Sequence, residues 1–391
     1  MKQNLLLLAI VLLGNHIYAQ PFKIGHTTVT LIDSSRNNRS IATEIYYPAD
    51  KAGNNVAVAA STNAKFPILS FGHGFVITWD AYQNIWEAAV PEGYIIVFPK
   101  TEGGIAPSHV NMGKDLEFVL TALNNLSQDK ASLFYNRIDS MNCVMGHSMG
   151  GGAAFLAAQN STIIKYLAVF SPAETNPSAI QASAGLKIPS LILAGGNDCV
   201  APPKSNQLPM FDSLHSSCKT YISINGGSHC QMAENNALCS FGEATCMPQP
   251  TISRSQQHVV INRYLIPWLN YQLKKNCVSG AQFDSIISSD ASIIFKKNCL
   301  LCKTNTVIEY LKPSSFDVFP NPTSGQITIQ SSKKLFNATI KLYNITGQIF
   351  TQKANLSGDN FTVDLSEFAK GVYVLEISGA EGLERVKVVK E

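Results

Sequence analysis

Cys143-Val144-Met145-Gly146-His147-Ser148-Met149-Gly150-Gly151-Gly152-Ala153-Ala154 passes from an apolar run through G-x-S-x-G into a run of small residues. By itself the five-residue pattern carries little weight, because glycine and serine are common. Its setting carries more: a strand-like run precedes the serine and a small-residue helical stretch, 150–159, follows it, which is the strand, sharp turn, helix order of a nucleophile elbow. Ser148 is therefore the candidate nucleophile. Gly146 and Gly150 leave room for a strained turn, and the small residues after them let a helix lie close to a sheet.

Working outward, residues 28–32 and 41–47 alternate as two opening strands around the polar turn 33–38. A buried strand at 66–71 runs into Gly72-His73-Gly74-Phe75. The spacing then predicts a helix at 79–90, a strand at 94–98 and an amphipathic helix at 112–126, with Leu116, Val119, Leu120 and Leu123 on one face. After the elbow come strands at 166–170, 190–194 and 219–224, and a last helix at 256–273. This alternation predicts an α/β fold, a mostly parallel, doubly wound sheet covered on both faces, with its site at the carboxyl ends of the strands. Ser171 and the strand at 190 are separated by too little chain for a lid domain, so an open cleft is expected.

The chain has 391 residues, 45% hydrophobic and 15% charged, with a formal charge of +3. That length calls for two folded units, and the small charge without a basic stripe argues against nucleic acid as a partner. Residues 1–19 read as a signal peptide, with Lys2, an apolar core at 5–13 and Ala19 before Gln20. Export would turn most of the nine cysteines into disulfides, with Cys143, inside the elbow strand, a buried free thiol. The pairing of Cys199, Cys218, Cys230, Cys239, Cys246, Cys277, Cys299 and Cys302 is not fixed by sequence. Cys230, Cys239, Cys246 and His229 lack the paired short spacings of a metal site, and Cys299-Leu300-Leu301-Cys302 reads as a domain tie rather than a redox pair.

Acyl transfer by a serine needs a base in hydrogen-bond reach, a carboxylate to orient it, and donors for the oxyanion. Asp198 follows the apolar run 191–194 through Gly195-Gly196-Asn197, and Asp212 is its competitor in a helix-like stretch. Of the eight histidines, His229 is the one after Asp198 on a strand-end loop. The order Ser148, Asp198, His229 fits this fold. The backbone N–H groups of Phe75 and Met149 are the expected oxyanion donors, and His73 and His147 are read as loop-shaping. Because Cys199 and Cys230 directly follow the acid and the base, a bridge between them, or from one of them to Cys218, Cys239 or Cys246, would fix the two loops.

Residues 146–152, Asp198-Cys199-Val200-Ala201-Pro202 and Gly227-Ser228-His229 resemble the motifs of bacterial cutinase-like polyester hydrolases, including poly(ethylene terephthalate) hydrolases. The resemblance implies an α/β-hydrolase fold, Ser148, Asp198 and His229 as catalytic residues, Phe75 and Met149 as the oxyanion hole, and no metal or organic cofactor. Three departures stand out. Phe75 takes the place of a tyrosine and Ala173 that of a substrate-clamping tryptophan, while the 230–252 loop is longer and carries cysteines. From 316 to 391 the chain reads as short strands of a small β-sandwich. There Phe319-Pro320-Asn321-Pro322-Thr323-Ser324-Gly325, residues 342–348, and 365–366 with 371–374 resemble the sorting domain of type IX secretion substrates, which implies a Gram-negative export route; a carbohydrate- or polymer-binding module is the alternative. The resulting layout is signal peptide 1–19, catalytic domain 20–277, linker 278–312 and sorting domain 313–391. A secreted or cell-surface, monomeric ester hydrolase for polyesters is expected. The alternatives are an esterase or lipase for small soluble esters and a non-catalytic binding protein on the same fold.

Overall fold

The computed structural model describes residues 22–60, 64–299, 316–344, 349–379 and 382–391. The expected signal peptide, Cys302, and part of the second sorting motif lie outside these residues. The chain divides into two compact units, Met1–Lys303 and Thr304–Glu391.

In the first unit the elements run β1 (Lys23–Asp33), β2 (Arg39–Ala49), β3 (Gly53–Asn54), β4 (Phe66–Gly72), α1 (Gln83–Ala89), β5 (Ile95–Pro99), α2 (His109–Leu126), β6 (Ile138–His147) and α3 (Met149–Gln159). They continue with β7 (Tyr166–Phe170), α4 (Ala179–Ser183), β8 (Ser190–Gly195), α5 (Gln207–Ser213), β9 (Lys219–Ile224), α6 (Ala237–Ala244), α7 (Arg254–Lys274), α8 (Cys277–Ile287) and β10 (Ile293–Lys297). The sheet order is β10-β9-β8-β7-β6-β4-β5-β2-β1-β3. From β5 to β9 neighbouring strands are parallel, whereas β1 with β2, β2 with β5, and β10 with β9 are antiparallel. Strands β4 to β8 are buried throughout except at the start of β6, which is why they read as continuous apolar runs rather than alternating ones.

Helices cover both faces. On one, Met112, Leu116, Val119 and Leu120 of α2 pack with Ala153 and Phe155 of α3 and Met210 of α5 over Ile68, Val144 and Ile192. On the other, Ile85 and Trp86 of α1, Tyr264 and Trp268 of α7, and Phe283 of α8 pack over Leu69, Met145 and Leu191. Burying each large side chain contributes about 2–3 kcal/mol. Trp79 and Trp86 join Tyr46 and His26 in an aromatic group on this second face, with Tyr46 stacked on Trp86 at 4.3 Å and on His26 at 4.6 Å. Strand order reverses between β4 and β6, where Gly72 pairs with Gly146. The loops after these two strands therefore open side by side at the switch point, where ligands bind in such sheets.

Two local differences from the sequence reading have physical causes. The expected helix at 79–90 is a 3-10 turn, Trp79–Tyr82, followed by α1, because Tyr82 leaves helical geometry at φ −105°, ψ 28°. Residues 278–297 of the expected linker belong to the sheet unit instead: α8 packs on α7, and β10 extends the sheet beyond β9. Cys218–Cys299 ties that edge, and Asp290 accepts bonds from Ser292, Tyr264 and Arg263 between α8 and β10.

The second unit is antiparallel, with β11 (Phe316–Phe319), β12 (Gln326–Asn344), β13 (Ile349–Asp364), β14 (Gly371–Gly379) and β15 (Gly382–Lys390). Strand β12 pairs with β13 along one edge and with β11 and then β14 along the other, so the described strands form one five-stranded sheet. The sequence shows β12 as two strands because its register slips between Gln330 and Ala338, around Asn337 at φ 51°. Ile327, Ile340, Leu342, Leu375 and Val388 form its core. In the Phe319 to Gly325 motif, the Asn321 side chain donates to Lys387 O at 2.6 Å and accepts from Val389 N at 2.9 Å. The amide thus docks on β15 as a neighbouring strand would.

Candidate active site

Ser148 sits between β6 and α3 at φ 55°, ψ −123°, a left-handed conformation that costs a non-glycine residue roughly 1–3 kcal/mol. The turn is held on three sides. Ser148 N donates to Phe170 O at 3.0 Å, and Ser148 O accepts from Gly152 N and Ala173 N, each at 3.0 Å. Space is the second condition: a Cβ on Gly150 would lie 2.2 Å from the carbonyl carbon and oxygen of Gly72, and one on Gly146 would lie 2.4 Å from Gly150 O. The glycines read from the motif are therefore required by the crossing of β4, β6 and α3.

Strand β9 ends at Ile224, and the tight Gly226-Gly227 turn delivers His229 to the same end of the sheet as β8 delivers Asp198. His229 Nδ1 is 2.8 Å from Asp198 Oδ2, and His229 Nε2 is 2.8 Å from Ser148 Oγ. All three side chains are buried. The carboxylate only accepts, so Nδ1 carries the proton and Nε2 presents a lone pair to the serine hydroxyl. Asp198 Oδ1 accepts from Val200 N at 3.0 Å and Ala201 N at 2.7 Å, so neither oxygen is free to turn away.

The other candidates fall elsewhere. Asp212 is exposed beside Lys296, His215 faces Ala184 O, His258 faces Ala233 O, His109 sits at the start of α2 and His26 lies against Glu44. His73 is buried, with Nδ1 2.9 Å from Gly74 O and Nε2 2.8 Å from Thr101 O, a loop-shaping position.

His147 has a more connected role. Its Nε2–H donates to His229 O at 3.1 Å, and its Nδ1 accepts from the Tyr82 hydroxyl at 3.1 Å. That hydroxyl accepts the Gly74 N–H at 2.7 Å. Burial, and then the neighbouring His229, push the His147 pKa well below its ordinary value, while burial pushes the Tyr82 phenol up. Both groups thus stay neutral, as this donor and acceptor pattern demands. The chain of bonds links the residue before Phe75 to the backbone of His229.

Four side chains absent from the sequence reading hold the His229 loop. Gln257 on α7 accepts from Ser228 N at 2.8 Å and donates to Ser228 O at 2.9 Å. Glu243 on α6 accepts from Ser228 Oγ at 3.0 Å and from Cys230 N at 3.0 Å. Arg254 donates to Cys230 O and Ala233 O, and Tyr82 acts through His147. Of these, only Glu243 carried a sequence signal, as the single charged residue between Cys239 and Cys246.

Cys199 pairs with Cys246 and Cys230 with Cys239, so the acid and histidine loops are each bridged to the α6 segment rather than to each other. Cys277 is also disulfide-bonded, and Cys143 is a buried free thiol whose pKa burial raises. Phe75 is 46% exposed beside the site, and Met149 begins α3, where an N–H has no intrahelical acceptor. Chain 172–189 holds only the short α4 and adds no lid. Two clefts, of about 360 and 280 Å³, lie between α2 and residues 33–36 and between α2 and α3, and neither is lined by Ser148, Asp198 or His229.

Fold and elbow together put the chain among the α/β-hydrolases, as a carboxylic ester hydrolase. Within that class it belongs to the PET hydrolase-like family, whose model matches residues 18–247. It is 24% identical over 216 residues to cutinase est1 of Thermobifida alba, covering 54% of this chain and 70% of that protein. Cutinase 2 of Thermobifida cellulosilytica gives the same identity over 79% of its length. The similarity to a bis(hydroxyethyl) terephthalate hydrolase of Streptomyces coelicolor is 33% over 186 residues, 47% of this chain and 54% of that enzyme. Residues 317–391 match the secretion system C-terminal sorting domain.

Proposed function

We propose that the protein is an exported serine hydrolase of polyesters such as poly(ethylene terephthalate), with Ser148, His229 and Asp198 as its catalytic residues. The observation that carries this reading is the continuous series Asp198, His229, Ser148, with 2.8 Å at each step and the serine on a strained elbow. Ser148 Oγ attacks the ester carbonyl while His229 Nε2 takes its proton. Asp198 holds the Nδ1–H tautomer and stabilises the imidazolium. The oxyanion of the tetrahedral intermediate accepts from the Phe75 and Met149 N–H groups, each worth about 10²- to 10³-fold in kcat. Collapse breaks the C–O bond, and His229 returns the proton to the departing alcohol. Water then attacks the acyl-enzyme with His229 again as base, releasing the acid and restoring Ser148. The mechanism calls for no metal or organic cofactor.

The polyester part of the reading draws on the cutinases and the terephthalate-ester hydrolase among the relatives, and on chain 172–189, which adds no lid. Ala173, beside the nucleophile and in the place of the family's substrate-clamping tryptophan, favours the second reading, an esterase for small soluble esters. Residues 1–19 as a signal peptide and the C-terminal unit as a type IX sorting signal complete the export route. With the full chain, Ser148→Ala should abolish hydrolysis of nitrophenyl esters and of polyester film by about 10⁴-fold or more. Wild-type rates in that variant would sink the catalytic assignment. Turnover of nitrophenyl esters by an enzyme that releases nothing from film would move the conclusion to the small-ester reading.

A further inference from the structure

Helix α6 reverses the usual arrangement of a surface helix. A solvent-facing helix normally carries its charges outward. Here the one charged residue between 237 and 248 is Glu243, and it is buried against Ser228 and Cys230. What faces outward is apolar: Leu238 is 61% exposed, Phe241 74% and Met247 76%. Leu238 and Phe241 are spaced i, i+3 and so lie side by side on one face.

Eight residues are too few to hold a helix in water without help. The Asn236 side chain caps its start by accepting from Cys239 N at 3.0 Å. Cys239 in its first turn is bonded to Cys230, next to His229, and Cys246 just beyond its end is bonded to Cys199, next to Asp198. The exposed apolar face is thereby fixed at both ends to the two loops that carry the proposed acid and base.

We infer that Leu238, Phe241 and Met247 form a docking surface for the uncharged chain of a water-insoluble polyester, which lies across α6 as its ester enters the site at Ser148. Two features favour this occupant: the face presents no charge that would need a counterpart, and two disulfides tie it to the residues that directly follow Asp198 and His229. The inference rests on the polyester reading above, and it assigns the binding of the polymer to a segment that does no chemistry.

The test uses the full-length protein with Leu238→Ser/Phe241→Ser, a separate Met247→Ser variant, and Val259→Ser as an exposed apolar control on α7. Two quantities are read: adsorption to polyester film, measured in a Ser148→Ala background, and the ratio of film turnover to nitrophenyl ester turnover. Both should fall on the order of tenfold in the double variant and severalfold in Met247→Ser, with Val259→Ser unchanged and melting temperatures alike. Adsorption and ratio both within twofold of the parent would overturn the inference, as would a wild-type dimer that the double variant dissociates, since a second copy would then be the occupant. Adsorption is read without turnover, so it tests the surface even if the catalytic reading fails by its own Ser148→Ala experiment.

Discussion

Replacing Tyr82 by phenylalanine removes one oxygen and leaves the ring in place. That oxygen accepts the Gly74 N–H at 2.7 Å and donates to His147 Nδ1 at 3.1 Å, in a site with no solvent exposure. Its loss strands two buried polar groups, each costing about 1–3 kcal/mol when unpaired, so the fold should lose about 2–4 kcal/mol. For a unit of this size that lowers the melting temperature by about 5–15 °C. Gly74 directly precedes Phe75, so the same change frees the proposed oxyanion donor, and kcat should fall by about 10- to 100-fold with KM nearly unchanged. The assay is kcat and KM on a soluble nitrophenyl ester well below both melting temperatures, alongside thermal unfolding. A lower melting temperature with wild-type kcat would make Tyr82 a structural residue only. An unchanged melting temperature would refute the hydrogen-bond series itself.

Gly150→Ala would drive a methyl group to 2.2 Å from the Gly72 backbone, where no rotamer change can relieve it. A loss of about 3 kcal/mol or more, with esterase activity gone, is expected in thermal unfolding and rate assays. Removing the Cys199–Cys246 bridge by a double serine replacement should cost about 4 kcal/mol for its span of 47 residues and lower kcat as well, because it releases the Asp198 loop; removing Cys218–Cys299 should cost a similar amount and leave kcat intact. Denaturant unfolding and kinetics under non-reducing conditions separate the two. Burial pushes the Asp290 carboxyl up, but hydrogen bonds from Ser292, Tyr264 and Arg263 outweigh it and hold its pKa below the ordinary range. Its contribution is therefore fully present above about pH 4, the unfolded value, and is lost as the pH falls through the lower folded value. Asp290→Asn should be about 1 kcal/mol less stable at pH 7 and show a shallower loss between pH 4 and 2, read as melting temperature against pH.

The sheet was legible where burial made strands continuous: 166–170 and 219–224 are the bounds of β7 and β9, and the loops leaving β8 and β9 bring Asp198 and His229 together. Of the residues that hold those loops, Tyr82 and Gln257 were not legible, since Tyr82 meets His147, and Gln257 meets Ser228, across stretches of chain with no local pattern. Strand β10 hid for a different reason. Its Ile-Ile-Phe-Lys-Lys sequence follows a serine-rich stretch, and only pairing with β9 shows it to be the last strand of the sheet. In the second unit the register slip in β12 made one strand look like two.

The aromatic group beside β2 decides what light can report about this molecule. All three tryptophans, Trp79, Trp86 and Trp268, pack on the same face of the large sheet, and neither the opposite face nor the second unit contains one. Tryptophan emission will follow the melting of that one layer and be silent to unfolding of residues 316–391. A fluorescence transition that coincides with the far-ultraviolet circular dichroism transition would mean that the two units unfold together, and a separation between them would measure the independence of the sorting unit.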